Sequence, residues 1–525
     1  MSAAARSERS RALRNVLSNW GTFLVNALVA FFLSPYIVRT LGGEVYGAWV
    51  LIGSLVGYLG LLDVGVRGAV TKFVATHHAA GDHAEASRVT AAALTFFGAS
   101  GLVAVALSVV LASALLPHFG IPDALRADAE AALVLSGLTL AITLVTNVFG
   151  GVVIGVQRFD RMNAVYVAGA LVRAAATVAV LEAGGGFVGL AWVQLAATAL
   201  QGGATWWLSR ALYPELRPRR AGWTRRHLAA LFAFGITSVL IQASGMVVDY
   251  SNSAVIGALL SVGAITPFAI AANLVLYARG LVSGISHVVT PMAGALEGRR
   301  ELDRMRVVLV DGARFATMVI APIAAVFMVR GTSFVSLWMG PEYGPDGGHV
   351  LWILSVALLS FASFQILVNG LMGLNRHRIL VPFFVAEAAA NVALAVALAP
   401  ALGVIGVAWG TTLPRVANAL VAAPLLARRV LGVRPARYLL HGVARPALAV
   451  LPFALACELV ERRWPAASML GFFAQVGATL PIAGAGLWAL ALDGAERRSA
   501  AASLLGALGR ARLASRAGAE KPGPE

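Results

Sequence analysis

The chain has 525 residues, of which 59% are hydrophobic and 13% charged, with a mean hydropathy of +0.79; it is too apolar for a string of soluble domains. A net charge of +16 would suit nucleic acid only as a concentrated patch, whereas here the basic residues punctuate the apolar runs. The single cysteine, Cys457, excludes an intrachain disulfide and any multi-cysteine metal site.

In chain order, the basic start Met1 to Arg14 runs into an apolar stretch with no clear small-residue cleavage site, which reads as a retained first helix rather than a cleaved signal. Runs of about 20 apolar residues, each enough to cross a bilayer, follow near 17–40, 46–76, 90–116, 130–155, 162–182, 187–212, 229–259, 264–296, 307–329, 348–373, 379–398, 402–427, 439–458 and 469–491. The chain therefore reads as an all-α polytopic membrane protein of about fourteen spans. The stretch 34–80 returns later at a fixed offset, Leu41 matching Leu260, Gly65 matching Gly284 and Thr71 matching Thr290. The matches continue from Arg158 to Arg376 and from Trp192 to Trp409. A constant offset across separate stretches marks a duplication. The reading is a basic amino terminus (1–16), a six-helix unit (17–212), a basic linker (213–228), a second parallel six-helix unit (229–427), two appended helices (428–491) and a basic tail (492–525). Six spans per unit insert both halves the same way, related by an axis along the membrane normal.

Orientation follows from the arginines. With the amino terminus in the cytoplasm, five of the 41 Lys and Arg fall outside (Arg39, Arg126, Arg330, Arg462, Arg463), four lie deep in spans (Arg173, Arg279, Arg314, Arg415), and the rest are cytoplasmic. The clusters Arg6 to Arg14, Arg217 to Arg226, Arg299 to Arg306, Arg428 to Arg437 and Arg497 to Arg516 read as topology determinants that meet anionic membrane lipids. Ala500 to Arg516 has the pattern of a surface-lying amphipathic helix.

Charge inside the spans carries the functional signal, because it is expensive there. Arg173, Arg279, Arg314, Arg415 and His287 stand against Asp63, Asp249, Asp311 and Glu387, with Arg67 and Lys72 at the cytoplasmic end of span 2. Asp63 with Arg67 and Asp311 with Arg314 share helix faces and suit structural pairing. Setting those aside leaves Arg173, Arg279 and Arg415 facing Asp249 and Glu387, a surplus of guanidinium suited to phosphate. Arg279, Ser283 and His287 recur every four residues along one stripe of span 8. Gly60 occupies the position equivalent to Arg279 in span 2, so an Arg279–Asp63 bridge across the halves is the structural alternative. Asn147, Gln242, Asn273, Asn369, Asn391 and Asn418 read as interhelical hydrogen-bond glue. Pro35, Pro267, Pro291, Pro322, Pro382 and Pro414 are candidate kinks, and Gly43 with Gly47, Gly53 with Gly57, and Gly280 with Gly284 would let spans 2 and 8 pack closely.

The segment LSPYIVRTLGGEVYGAWVLIGSLVGYLGLLDVGVRGAVTKFVA, the repeat around Asp249 to Ala272, and the turns GVQRFDR and GLNRHR together resemble the Wzx-type polysaccharide and O-antigen flippases of the multidrug/oligosaccharidyl-lipid/polysaccharide (MOP) exporter superfamily, over most of residues 12–430. The resemblance implies two MATE-like lobes in a V, alternating access, and a bacterial inner-membrane protein that flips an undecaprenyl-pyrophosphate-linked oligosaccharide outward for polysaccharide or lipopolysaccharide synthesis, with polysaccharide assembly proteins as possible partners. Members commonly carry an Asp-Arg pair after span 7, where this chain has Asp249-Tyr250.

Other classes fit less well. The two lysines, Lys72 and Lys521, sit in no phosphate-cradling loop, which argues against a nucleotide-driven pump. The loops, the longest irregular ones being near His118 to Glu130 and Trp338 to Gly348, leave no room for a catalytic domain and argue against a membrane enzyme of envelope polymer assembly. A cation-coupled drug exporter of the same fold stays open on Asp63, Asp249 and Glu387. No cofactor, metal or nucleic acid is expected; coupling to H+, Na+ or membrane potential is left open.

Overall fold

The computed structural model describes residues 3–63, 66–218 and 222–498, and every regular element among them is helical. The amino-terminal half comprises α1 (Ala3–Leu41), α2 (Gly43–Leu59), a 3-10 turn (Gly60–Asp63), α3 (Val66–Ala79), α4 (His83–Val110), α5 (Asp123–Gly155), α6 (Phe159–Glu182) and α7 (Gly186–Leu212). The second half comprises α8 (Arg225–Leu259), α9 (Ile265–Ser286), α10 (Val289–Gly298), α11 (Leu302–Trp338), α12 (Gly344–Gly373), α13 (Val381–Leu402), α14 (Val404–Ala417) and α15 (Ala423–Leu431). Short helices α16 (Pro435–Leu439) and α17 (Arg445–Ala449) lead to α18 (Leu451–Arg463) and α19 (Met469–Gly486). Thirteen helical stretches are long and apolar enough to cross a membrane among the described residues; α8 is a further helix of 35 residues.

Each half closes on itself, α5 packing on α4 and α7 in the first, α12 on α11, α9 and α14 in the second. The turns recur at the spacing of the sequence matches. Gln157 and Asn375 both take a left-handed φ, of 59° and 51°. Gly155 and Gly373 sit just before them, where a Cβ would meet the carbonyl oxygens of Thr71 (3.2 Å) and Thr290 (2.3 Å) respectively. Gly81 and Arg300, φ 72° and 58°, form another such pair before α4 and α11. The two spans matched at that offset in the sequence are both broken, between α2 and α3 and between α9 and α10.

Helices run further than the apolar runs suggest. Only Phe119 to Pro122 is non-helical within the expected loop from His118 to Glu130, and the Trp338–Gly348 connection holds a 3-10 turn (Pro341–Tyr343) and the start of α12. Arg330, expected in an external segment beyond the apolar stretch 307–329, is a buried residue of α11, whose 37 residues extend well past that stretch. Its Nε donates to Glu461 at 2.5 Å and its Nη2 to Gln475 at 2.7 Å, while its guanidinium lies 4.5 Å from the centroid of Phe472. Glu461 also accepts from Ser333. At the other end of α11, Arg314 pairs with Asp311 at 3.2 Å, with Asp493 at 3.5 Å, and with Glu496. Helix α18 and the segment just after α19 are thus each pinned to α11 by ionic contacts. Residues 500–516, read as an amphipathic helix, lie outside the described residues, as do the side chains of Arg6 to Arg14.

The halves meet closely at the Gly42 end. Thr266 Oγ1 donates to the Gly43 carbonyl at 2.6 Å, and a Cβ on Gly47 would lie 2.1 Å from the Val262 carbonyl oxygen. Arg39 donates to the carbonyls of Trp338 and Met339, and the Trp338 indole to Phe31. Gly57 lies against the Tyr250 ring. Gly280 and Gly284, expected to help spans 2 and 8 approach, instead receive Phe23 and Trp20 of α1, and a Cβ on Gly53 would point into open space. Pro267, Pro291 and Pro382 fall in first turns, where the missing N–H costs nothing, so they are not interior kinks; Pro35, Pro322 and Pro414 are inside helices. The linker is tied to the first half through Tyr213 and His83 (2.7 Å) and through His227 and Glu85 (3.0 Å).

Candidate functional site: a charge cluster at the face of the second half

Four of the intramembrane charges converge. Asp249 of α8 accepts from Arg279 Nη1 at 3.3 Å and lies 4.0 Å from Arg415 of α14, whose Nε donates to Glu387 of α13 at 3.2 Å. Asn418 adds a 2.6 Å hydrogen bond to the second Glu387 oxygen and another to the Phe383 carbonyl. It opens a π-helical turn (Asn418–Ala422), a local widening that helices use where a side chain must be re-aimed. Arg279 is about 21 Å along α9 from Ile265 and lies over Phe361 of α12, 4.7 Å from the ring centroid. Its Nε is buried with no hydrogen-bond partner among the described residues.

The cluster has a buried end and an open end. Side-chain exposure rises from 7% at Glu387 through 12% at Arg415 and 21% at Arg279 to 43% at Asp249. Behind it, Ser251, Asn391, Thr411 and Asn252 form a buried chain of hydrogen bonds of 3.0 to 3.1 Å that fastens α8, α13 and α14 together. Asn391 is one turn from Glu387, and Thr411 one turn from Arg415, so this chain fixes the helices that carry the charged side chains one turn away. Two guanidinium groups meet two carboxylates, so the expected surplus of positive charge is absent from the cluster itself. Asp249, the most exposed member and one of the two carboxylates set against Arg279 in the sequence, is the partner the structure gives it, rather than the alternative Asp63.

The other candidates lie elsewhere. Arg173 is half-buried on α6, which packs on α1 and α7, and makes no hydrogen bond or ion pair among the described residues. His287 is exposed in the break after α9; of its stripe, Ser283 donates back to the Arg279 carbonyl at 3.1 Å. Asp63 ends the 3-10 turn after α2, and Lys72 is exposed on α3 with its ammonium 5.8 Å from the Phe73 ring. The side chain of Arg67 lies outside the described residues. Residue patterns did not single out Phe361, Ser251 or Thr411: an aromatic or a hydroxyl in an apolar span is unremarked until its neighbours are known.

Two uncharged cavities flank α2 and α9. One, of about 360 Å³, is lined by Trp49, Ser136, Thr143 and Gln194 among others, on α2, α5 and α7. The other, about 540 Å³ and wholly apolar, lies between α1, α9, α11 and α19, lined by Phe23, Phe31, Leu281, Phe327 and Phe473 among others. Helix α9 therefore carries an apolar groove on one side and Arg279 on the other.

Comparison with known proteins agrees with this architecture. A family described as "Polysaccharide biosynthesis protein" matches residues 12–296. The membrane protein EpsK of Bacillus subtilis (strain 168) is 21% identical over 85% of this chain and 89% of its own length. A protein of Shigella flexneri named as an O-antigen transporter is 18% identical over 79% of this chain and 98% of its own. Among solved structures, the lipid II flippase MurJ in an inward closed conformation superimposes with a TM-score of 0.71 at 14% identity, covering 90% of this chain and 98% of that one. An inward-facing multidrug resistance MATE transporter of the MOP superfamily gives 0.68 at 17% identity, covering 78% and 98%. The chain has the fold of membrane transporters and flippases rather than of an enzyme, and with more than half its length matched it belongs to the polysaccharide biosynthesis protein family.

Proposed function

We propose that this protein is a flippase that carries an undecaprenyl-pyrophosphate-linked oligosaccharide across the bacterial inner membrane by alternating access, with both termini in the cytoplasm. The observation that carries this reading is the cluster of Arg279 and Arg415 bridged by the half-exposed Asp249. A guanidinium pair deep in the membrane, held by an internal carboxylate at its open end, is an anion site whose resting occupant is part of the protein. A pyrophosphate reaching the cleft replaces Asp249 on Arg279, offering the planar fork more oxygens than one carboxylate does. The buried Glu387 stays on Arg415 and Asn418, so the site keeps its shape when Asp249 lets go.

The surroundings support a substrate of three chemistries. The apolar groove along α1 and α9 suits a prenyl tail, and the cavity bearing Trp49, Ser136 and Gln194 suits an uncharged glycan. The close seal at the Gly42 end, together with the exposure of Asp249, suits a state open toward the cytoplasm. Loading at that side and opening of the Gly42 seal then move the glycan outward.

The exposed carboxylate of Asp249 also favours a second reading, cation-coupled drug export. Purified protein in proteoliposomes separates the two: a labelled undecaprenyl-pyrophosphate glycan should become accessible to an external lectin, and a lipophilic cation such as ethidium should not be moved. Ethidium transport without lectin access would overturn the flippase reading in favour of export.

A further inference from the structure

We infer that a pocket between the start of α11 and the α15–α16 turn binds the phosphate headgroup of an anionic membrane phospholipid. The cavity, about 500 Å³, is lined by Arg306, Arg434, Arg437 and His441 above an apolar floor that includes Val310 and Val433. Arg306 is fixed in place: its Nε caps the end of α15 by donating to the Leu431 carbonyl at 2.5 Å, and its Nη1 meets Asp303 at 2.5 Å. Gly432 makes the turn with a left-handed φ of 70°, bringing its backbone against that guanidinium. Neither Arg434 nor Arg437 makes a side-chain hydrogen bond among the described residues, and His441 Nδ1 is buried with none.

Basic side chains thus line one space, and the carboxylate that acts on Arg437, Asp311, is itself paired with Arg314. His441 belongs to a π-helical turn (Leu440–Ala444) seated on α11, where Thr317 Oγ1 donates to the Gly442 carbonyl at 2.9 Å. The pocket lies where one span ends, the next begins and a third starts beside them, which is headgroup depth. Exposed Leu302, Val307 and Leu440 beside it face acyl chains. The nearby carboxylate of Asp303 is already spent on Arg306, so a headgroup without an ammonium is favoured. A free phosphate has the same oxygens but no chains to lay on that apolar rim.

Native mass spectrometry of the full-length protein with phosphatidylglycerol or phosphatidylcholine tests this. The first phosphatidylglycerol should bind at least tenfold tighter than phosphatidylcholine, and Arg434→Gln with Arg437→Gln should weaken it by about thirtyfold, near fivefold per guanidinium. Arg428→Gln with Arg429→Gln removes equal charge outside the pocket and should leave that first lipid in place. Equal losses in both pairs would mean a diffuse basic surface and overturn the site. Complete displacement by millimolar inorganic phosphate would overturn a lipid as its ligand. If the pocket pair fails to fold, Arg434→Gln alone should still cost about fivefold, and no loss in a folded single variant would refute the proposal.

Discussion

Asp249 is the side chain on which the charge cluster turns, because it alone is both paired and half-exposed, whereas Glu387 is sealed in. Asp249→Asn frees Arg279 while Arg415 stays on Glu387, so it should raise the affinity for inorganic pyrophosphate, read by titration calorimetry, by about tenfold, a gain of roughly 1.4 kcal/mol; unchanged affinity would count against an exchangeable carboxylate. Arg415→Gln leaves Glu387 buried with only Asn418, so it should cost about 3 kcal/mol of stability, seen as a lowered thermal midpoint in detergent. All four charges were legible in the sequence, since an ionised side chain in an apolar run is rare and costly. Their pairing was not. Arg279 was set against Asp249 and Glu387 with a bridge to Asp63 as the structural alternative, and only the packing of α9 on α12 and α8, with Phe361 receiving the guanidinium, singles out Asp249 as its partner.

Among the helices, α11 carries the appended pair, and the ion pair between Arg330 and Glu461 is the joint most open to test. Arg330→Met leaves the Glu461 carboxylate with Ser333 alone and should lower stability by about 3 kcal/mol, while Arg330→Met with Glu461→Leu should recover much of the loss. A double variant as unstable as the single one would show that the pair is not what joins α18 to α11. Gly47→Ala places a methyl group against the Val262 carbonyl and should force α2 from the α8–α9 turn, detected as faster maleimide labelling of a cysteine at Thr266. Span positions were legible because apolar length sets them, and the paired turns at Gln157 and Asn375 fell where the repeat offset put them. Arg330 falls in a helix rather than a connection because hydropathy marks the apolar middle of a span and not the end of its helix; a neutralised arginine looks like a loop arginine in one dimension.

For the molecule as a whole, alternating access requires the Gly42 end to part. A Cβ on Gly263 lies 3.5 Å from the Glu44 side chain, so Glu44→Cys with Gly263→Cys, in a Cys457→Ala background, should crosslink and abolish transport reversibly with reductant. Full transport by the crosslinked protein would mean a pathway that never opens there. A reporter active only in the periplasm should work when fused after Gly43 or Gly403 and be silent after Arg220. The all-helical membrane architecture could be read from the composition and the apolar runs. The tight approach of the lobes at Gly47 and Val262 could not, because a small residue is compatible with many partners and only folding chooses one. The most direct measurement is lectin access to a labelled undecaprenyl-pyrophosphate glycan in proteoliposomes bearing Arg279 variants. Arg279→Lys should retain part of the flipping, Arg279→Ala should lose it while still expressing and folding, and Arg279→Gln with Asp249→Asn should restore stability without transport. Wild-type rates from a well-folded Arg279→Ala would contradict a phosphate contact at this arginine.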